Sequence, residues 1–186
     1  MNYDQLKSLD EEQKKTISSM FVGILSNIRS ISTKKVLSLI TDIPNICRLN
    51  HISYQYTESR KRTYNNMHPV VPTKGEIYNA YITEGVGKEL SGNHLVVVIQ
   101  SVSANVYSDK VNVVPIEGNG NKIKTSYQLQ LTNEDLETGH LDKNPSRIIF
   151  SDILTLDKAR LAGKIGKLKD EKLQTLNKKI RKQLNL

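Results

Sequence analysis

The pattern of apolar positions divides the chain into a helical first part, a strand-rich middle and a helical tail. In residues 8–31 apolar side chains recur at three- and four-residue spacing, which is typical of one face of an amphipathic helix. Ser8 followed by Glu11 forms the pattern of a capping box at its start. The apolar face consists of Ile17, Met20, Phe21, Ile24, Leu25, Ile28 and Ile31. Such a face predicts burial, either against the rest of this chain or against a partner or second copy.

A shorter helix is predicted over residues 33–42, and Pro44 is expected to end it. Its inward positions are predicted to be Val36, Leu37, Leu39 and Ile40. The two helices together define a predicted helical arm over residues 1–57. Residues 58–72 turn polar and contain a basic triplet at positions 60–62. This composition predicts a linker, with contact to a nucleic acid as the alternative role of the triplet.

From residue 74 onward the apolar positions alternate, which indicates β-strands separated by Gly, Asn and Ser turns. The predicted strands cover residues 76–82, 94–101, 110–116, 127–131 and 147–151. The second contains the apolar run LVVVI at residues 95–99, so we expect it at the centre of the sheet with both faces covered. Five short strands with local turns predict a small barrel or a strongly bent sheet.

The tail returns to helical spacing, with one apolar stripe surrounded by basic residues. The stripe consists of Leu173, Leu176, Ile180 and Leu184. Residues 158–186 alone carry a net charge equal to the +8 of the whole chain. This charge suits a polyanionic partner, because each phosphate neutralised by Lys or Arg releases condensed counterions. A merely soluble basic protein has the same balance.

Cys47 is the only cysteine, which excludes an intramolecular disulfide and is typical of the reducing cytoplasm. Residues 1–4 show no start of a signal peptide, and no apolar run approaches the roughly 18 residues of a membrane span. We therefore expect a soluble, cytoplasmic protein with no membrane segment. His51, His68 and His140 lack ligand spacing with Cys47 or with each other, so no metal site is expected. Phosphate-binding glycine loops and Gly-x-Ser-x-Gly elbows are absent as well, and we expect no cofactor.

Several stretches resemble, in order and spacing, the motifs of the MazF/PemK toxin endoribonucleases. They are residues 74–78 (KGEIY), 85–92 (GVGKELSG), 96–100 (VVVIQ), 113–116 (VVPI) and 148–167 (IIFSDILTLDKARLAGKIGK). The resemblance implies that residues 73–186 form the family's barrel domain. It implies an α+β fold, in which a small SH3-like barrel of the PemK/MazF and CcdB-like type carries a C-terminal helix behind the N-terminal helical arm.

The resemblance also implies an activity, namely a toxin endoribonuclease of a toxin-antitoxin system that cleaves single-stranded RNA such as mRNA without a metal. Enzymes of this family use the 2′-hydroxyl of the substrate as nucleophile and leave a 2′,3′-cyclic phosphate and a 5′-hydroxyl. The implied partners are single-stranded RNA, a cognate antitoxin that blocks the RNA groove, and a second copy of the chain in a homodimer.

Two positions depart from the family pattern where the chemistry is implied to lie. The family's loop arginine aligns with His94, and its threonine or serine after the third strand aligns with Glu117. An imidazole and a carboxylate can still supply an acid and a base near neutral pH. We therefore predict Glu117 as the general base and His94 as the general acid. Lys122 or Lys124 is expected to replace part of the lost guanidinium, although lysine grips phosphate only as a point charge.

The residues predicted to bind RNA are Glu89, which matches the family's loop glutamate, with Ser91, Gly92, Lys122, Lys124 and Tyr107. Tyr107 and Tyr127 are expected either to stack on bases or to lie in the core. Each candidate for the chemistry also has a plain structural alternative. His94 can cap a buried strand, Glu117 can belong to a turn, and the chemistry can belong to other residues such as Ser91 or Arg147.

Other function classes stay open beside the nuclease. The altered positions favour a non-catalytic RNA- or protein-binding module, for example a regulator or an inactive partner that pairs with a competent toxin. Gyrase-poisoning toxins share the barrel, but their gyrase-contacting C-terminal residues are not evident in this sequence.

Overall fold

The computed structural model of the chain describes residues 9–27 and 32–186. The chain divides into two compact units, Met1–Ile40 and Thr41–Leu186. No helix in the described part of the chain combines the length and the apolar character that crossing a bilayer requires.

The first helix, α1, covers Glu11–Asn27. Asp10 and Gln13 start it by a reciprocal pair of bonds: the Asp10 carboxylate accepts from the Gln13 amide at 2.8 Å, and the Gln13 side chain accepts from the Asp10 amide at 3.1 Å. This pair lies two residues beyond the predicted capping box, of which Ser8 lies outside the described residues. The apolar face predicted for this helix is exposed at Ile17, Met20, Ile24 and Leu25. Ile28 and Ile31 lie outside the described residues.

The second helix, α2, covers Thr33–Thr63, so the expectation that Pro44 ends it is wrong. Proline removes one backbone donor, but contacts beyond it hold the helix in place: Leu49 is buried, and the Ser53 hydroxyl donates to Asp157 at 3.0 Å. Leu37 and Leu39, predicted to face inward, are exposed.

Helix α2 extends past residue 57 into the segment predicted as a linker, and the division of the chain at residues 57 and 72 stays a prediction. Arg60 of the basic triplet pairs with Asp109, and its Nη1 donates to the Tyr107 carbonyl at 3.3 Å. This arginine is therefore bonded to the strand-rich part of its unit.

Eight strands and two further helices follow. They are β1 (Glu76–Ile82), β2 (Gly92–Val98), α3 (Val102–Asn105), β3 (Lys110–Gly118), β4 (Gln128–Leu131), β5 (Leu136–Gly139), β6 (Ser146–Ile149), β7 (Leu154–Asp157), β8 (Leu161–Leu168) and α4 (Asp170–Leu184).

The strands form one eight-stranded antiparallel sheet that curls into a half-barrel. The order along it is β4-β6-β3-β2-β1-β8-β5, and β7 pairs with the first half of β3. Two register irregularities between β1 and β8 mark where the sheet bends. The α+β barrel fold expected from the sequence is confirmed.

Both faces of the sheet carry apolar side chains, and strand β2 contributes to both. Val97 belongs to the larger cluster, together with Phe150 and Leu176, while Val96 and Val98 belong to the second. The prediction of a central strand covered on both faces is therefore confirmed. Helix α4 covers the larger cluster with Leu176, which is fully buried, whereas Leu184 at the end of the predicted stripe is exposed.

Gly75, directly before β1, is hydrogen-bonded to the last residues of β2 and β8. The Gly75 amide donates to the Val98 carbonyl at 2.8 Å, and the Gly75 carbonyl accepts from the Leu168 amide at 2.9 Å. Gly75 has φ +88°, and a Cβ at this position would lie 3.1 Å from Leu173 of α4. Only glycine fits this conformation and this close approach without strain.

Candidate active site

Four polar residues form one row across the end of the sheet. The β2–β3 register ends with Leu95 opposite Ile116, so His94 of β2 and Glu117 of β3 each lie one residue beyond the last paired position. Glu117 pairs with Arg147 of β6, and Arg147 pairs with Gln130 of β4. Residues directly opposite each other share a face of the sheet, with Cβ atoms typically about 5 Å apart. We call His94, Glu117, Arg147 and Gln130 the polar row.

His94 is half-buried in β2, and its ring is fixed by the β1–β2 loop. Its Nε2 lies 2.9 Å from the Ser91 carbonyl oxygen. A carbonyl oxygen can only accept, so Nε2 carries a proton and donates this bond. Nδ1 is therefore the ring nitrogen left to exchange a proton with a ligand. The interaction sets the orientation of the imidazole.

Glu117 is joined to a cation that the sequence did not pair with it. Arg147 donates to Glu117 Oε2 from both Nη2, at 2.8 Å, and Nε, at 3.2 Å. Both side chains keep solvent access, with 24% of Arg147 and 32% of Glu117 exposed. Both bonds go to Oε2, so Oε1 stays outside this pair.

His94 and Glu117 also line one cleft, with a volume of about 400 Å³. Its other lining residues are Asn79, Asn93, Leu95, Ile116, Gly118, Asp142, Lys143, Ser146 and Ile165. The turn after Glu117 is held close to the wall of this cleft, because a Cβ at Gly120 would lie 2.1 Å from the Ser146 carbonyl oxygen. The structure thus brings together the two residues predicted as acid and base.

A second cleft lies on the other side of Arg147. It has a volume of about 530 Å³ and is lined by Lys122, Ile123, Lys124, Tyr127, Gln128 and Arg147. The Lys124 ammonium stands 5.8 Å from the centre of the Tyr127 ring, and Lys179 of α4 reaches the Thr125 carbonyl at 3.4 Å. We call this the basic cleft. Both lysines predicted to bind RNA therefore lie beside the polar row, with Arg147 between them and Glu117.

The β1–β2 loop holds the remaining predicted loop residues. Glu89 is exposed and folds back on its own loop, where its Oε2 accepts from the Val86 amide at 2.8 Å. Glu89 lines a separate cleft together with Asp152, not the cleft of His94 and Glu117. Gly92 starts β2 with φ +89°, a conformation that favours glycine. Its part in the site is therefore conformational: it lets the loop turn so that the Ser91 carbonyl meets His94.

Helix α2 fixes the other end of this loop. The Asp42 carboxylate accepts hydrogen bonds from the Tyr81 hydroxyl and the Glu84 amide. Asn45 donates to the same hydroxyl at 3.0 Å. The hydrogen bond to Asp42 raises the pKa of Tyr81 above its usual range. Asp42 is buried, so α2 acts as the anchor of the loop that leads to Ser91.

Tyr107 lies apart from these clefts. It is exposed and lines a third cleft with Thr57, Arg60, Lys61, Tyr64 and Asn66. Strand β3 separates it from Glu117, and seven residues of strand span roughly 20 Å. The structure therefore does not bring Tyr107 together with the predicted acid and base.

A buried cation lies near the start of β3. Lys158 is fully buried, its Nζ donates to the Asn105 carbonyl, and burial lowers its pKa to about 8. His68 is buried too, and its pKa is lowered first by burial and then by the charge of Lys158. Among the described residues, no group of three His, Cys, Asp or Glu side chains could hold a metal ion.

The pairing of Glu117 with Arg147 is the main feature that the sequence did not predict. The two residues are 30 positions apart and meet only because β6 joins the free edge of β3. The available signal was a pair of opposite charges, Arg147 on a predicted strand and Glu117 directly after another, but the sequence does not say which strands are neighbours.

Comparison with known proteins agrees with this fold. The profile of the family described as the PemK-like, MazF-like toxin of type II toxin-antitoxin systems matches residues 73–184. A protein from Staphylococcus saprophyticus named Endoribonuclease MazF is 35% identical over 113 residues, which cover 61% of this chain and 91% of that protein.

One of the similar solved structures shows the same fold. The crystal structure of MazF from Deinococcus radiodurans is similar with a TM-score of 0.52 at 17% identity, covering 63% of this chain and 99% of that one. An endoribonuclease in complex with its cognate antitoxin, from a mycobacterial species, is similar with a TM-score of 0.47 at 17% identity, covering 62% and 96%. Because the family profile matches more than half of this chain, the chain belongs to the PemK-like, MazF-like toxins of type II toxin-antitoxin systems.

Proposed function

We propose that this protein is an endoribonuclease that cuts single-stranded RNA, with Glu117 as general base and His94 as general acid. The observation that carries the proposal is that these two residues, on the adjacent strands β2 and β3, line one cleft. Membership of a family that contains a named endoribonuclease gives the reaction class.

The reaction needs one proton acceptor and one proton donor. The Glu117 carboxylate takes the proton of a ribose 2′-hydroxyl, and the 2′-oxygen attacks the adjacent phosphorus. The bond from phosphorus to the 5′-oxygen breaks, and His94 gives a proton to that oxygen. The products are a 2′,3′-cyclic phosphate and a 5′-hydroxyl, and solvent restores both side chains.

The hydrogen bonds of the two side chains suit these roles. Because Nε2 of His94 donates to the Ser91 carbonyl, the general acid is the imidazolium form, and the proton it gives up comes from Nδ1. Because Arg147 holds Oε2 of Glu117, the oxygen that accepts the substrate proton is Oε1. Each group keeps one fixed bond and offers its other polar atom to the substrate.

The basic cleft is the place where we expect the strand to continue past the cut. Lys122 and Lys124 supply phosphate contacts, and Tyr127 offers a ring for a base to stack on. An unpaired strand can enter such a surface with its bases turned outward, whereas a duplex keeps them stacked and hidden. This favours single-stranded RNA, including mRNA, as the substrate.

The remaining parts of the proposal follow from the chemistry and the family. The mechanism is metal-independent, since an acid, a base and a guanidinium suffice for it. A cognate antitoxin is the proposed partner, because the family consists of toxins of two-component systems. We also propose a homodimer and a cytoplasmic location, where mRNA is available.

The test uses the full chain and a long single-stranded RNA in buffer with EDTA. We expect cutting, with 5′-hydroxyl ends that a polynucleotide kinase labels without prior phosphatase treatment. His94→Ala and Glu117→Ala should each lose about a hundredfold or more in rate. His140→Ala and Glu134→Ala, at exposed positions in the same unit, serve as matched controls and should cut normally. Unchanged cutting by both site variants would reject the acid and base assignment.

A second candidate function is a module that binds RNA or a protein without cutting. Its support is that both site residues are already bonded, His94 to Ser91 and Glu117 to Arg147. Wild-type protein that binds the RNA in a filter or gel-shift assay and leaves it intact would establish this alternative.

A further inference from the structure

We infer that Arg147 is the residue that binds the scissile phosphate and stabilises its transition state, a role that rests on the proposed function and extends it. Arg147 stands at the only position of the polar row that both contacts the proposed base and lines the basic cleft. From the sequence Arg147 was only one of the open alternatives for the chemistry, and no specific role was assigned to it.

The donor count of the guanidinium leaves room for a phosphate. Arginine has five N–H donors in a planar fork, and two of them engage Glu117 Oε2. Nη1 and the second hydrogen of Nη2 lie on the side of the fork away from that pair of bonds. Two N–H groups in this arrangement match two oxygens of one phosphate.

The position of Arg147 connects the two clefts. Glu117 lines the cleft of the proposed acid and base, whereas Arg147 lines the basic cleft with its two lysines. A strand that places its 2′-hydroxyl at Glu117 Oε1 brings the adjacent phosphate to the guanidinium, because the two side chains are bonded. The phosphates that follow then reach Lys122 and Lys124.

Charge development explains why this residue would act in the transition state. As the 2′-oxygen attacks, the two non-bridging oxygens gain negative charge, which a fixed guanidinium stabilises more than it stabilises the ground state. The two bonds to Glu117 hold the guanidinium in place before the substrate arrives. Arg147 therefore touches the reacting group and also fixes the orientation of the base.

The experiment starts by mapping a cut on a long RNA with wild-type protein. A synthetic oligonucleotide spanning that cut measures kcat and KM, and the same oligonucleotide with a 2′-deoxyribose at the scissile nucleotide measures binding without cleavage. The variants are Arg147→Ala, Arg147→Lys and, as a matched control, Arg48→Ala at an exposed position of α2. Thermal unfolding verifies that each variant is folded. If Arg147→Ala does not fold, Arg147→Lys still tests the inference.

We expect Arg147→Ala to lower kcat by about a hundredfold or more. Its affinity for the deoxy oligonucleotide should fall by less than about tenfold, as expected for the loss of one phosphate contact. Arg147→Lys should keep most of the affinity and recover little of kcat, because an ammonium lacks the two-pronged geometry. Added guanidinium ion should restore part of the activity of Arg147→Ala, which a purely structural role would not allow. Arg48→Ala should behave as wild type.

Two results would overturn the inference alone: an Arg147→Ala variant that cuts at the wild-type rate, or a loss confined to binding with kcat unchanged. Wild-type protein that never cuts RNA would instead overturn the proposed function, and the inference with it.

Discussion

Lys158 is fully buried, although lysine is among the residues least often found inside a protein. Its ammonium has one close acceptor, the Asn105 carbonyl, and burial moves its pKa down to about 8 from the ordinary 10.5. Below pH 8 both the folded and the unfolded chain carry the proton, and folding bears the full cost of burying the charge. Between pH 8 and 10.5 the unfolded chain binds a proton that the folded chain has lost, so this residue makes stability rise with pH.

This predicts a specific pH dependence for Lys158→Met, in which the titrating group is gone. The free energy of unfolding of the wild type, relative to this variant, should increase between pH 7 and pH 10 by an amount on the order of 3 kcal/mol. Urea unfolding followed by circular dichroism at several pH values measures the difference. Tyrosines that titrate in the same range contribute to both proteins and cancel. A difference that stays constant, or falls, across this range would contradict the prediction.

The residues of the site were predictable to different degrees. His94 and Glu117 stand at positions that family motifs mark in the sequence, so their meeting at one cleft could be anticipated. Arg147 could not be assigned in this way, because its partner is defined by strand order and not by local pattern. Tyr107 was expected near the site from its residue type alone, and the structure places it at the opposite end of β3.

At the scale of elements, the contact between α2 and the β1–β2 loop is the one most directly linked to the site. Asp42 holds the Glu84 amide and the Tyr81 hydroxyl, and the same loop ends in the Ser91 carbonyl that orients His94. Removing the carboxylate leaves two donors without this acceptor, which typically costs about 1–3 kcal/mol when the groups are buried.

We therefore predict that Asp42→Ala loosens the loop as well as lowering stability. Hydrogen exchange at residues 83–91 should become faster, and RNA cleavage should slow because His94 loses its fixed orientation. Asn50→Ala, at an exposed position of the same helix, is the matched control and should change neither. Unaltered exchange in the loop of Asp42→Ala would show that α2 does not anchor it.

The elements themselves were only partly predictable. The first strand was predicted with its observed bounds, because its alternation is undisturbed. Strands β5, β7 and β8 were not predicted from periodicity: β5 and β7 are four residues long, and β8 carries exposed residues in succession where the sheet bends. Helix α2 continues past Pro44 because its later residues contact the strands, for example through the bond of Ser53 to Asp157. Helix propensity depends on local sequence and does not include such contacts.

At the scale of the molecule, the division into two units makes a clear prediction about truncation. Helix α1 has no buried residue, whereas Asp42 and Leu49 of the second unit are buried. Deleting residues 1–40 should leave the melting temperature within about 3 °C of the full chain, a change worth about 1 kcal/mol at this size. Deleting residues 1–57 should lower it clearly, since the bonds made by Asp42 and Ser53 are lost.

Calorimetry of the two truncations, with RNA cleavage measured on both, tests the prediction and the role of the arm together. Aggregation of the chain that lacks residues 1–40 would show that the remainder needs this segment to stay soluble, contrary to the prediction. A gain of RNA cleavage on removing residues 1–40 would identify that segment as an internal inhibitor.

The two backbone hydrogen bonds at Gly75 bear on which segments of the chain can differ among relatives. Gly75, directly before β1, bonds to Val98 of β2 and to Leu168 of β8 and lies against Leu173 in the first turn of α4, two residues after the family match begins. These bonds use only residues from Gly75 onward, whereas α2 makes its own contacts with the strands through Asp42, Ser53 and Arg60. Among relatives that share these α2 contacts, we therefore expect length and sequence to differ most before residue 41.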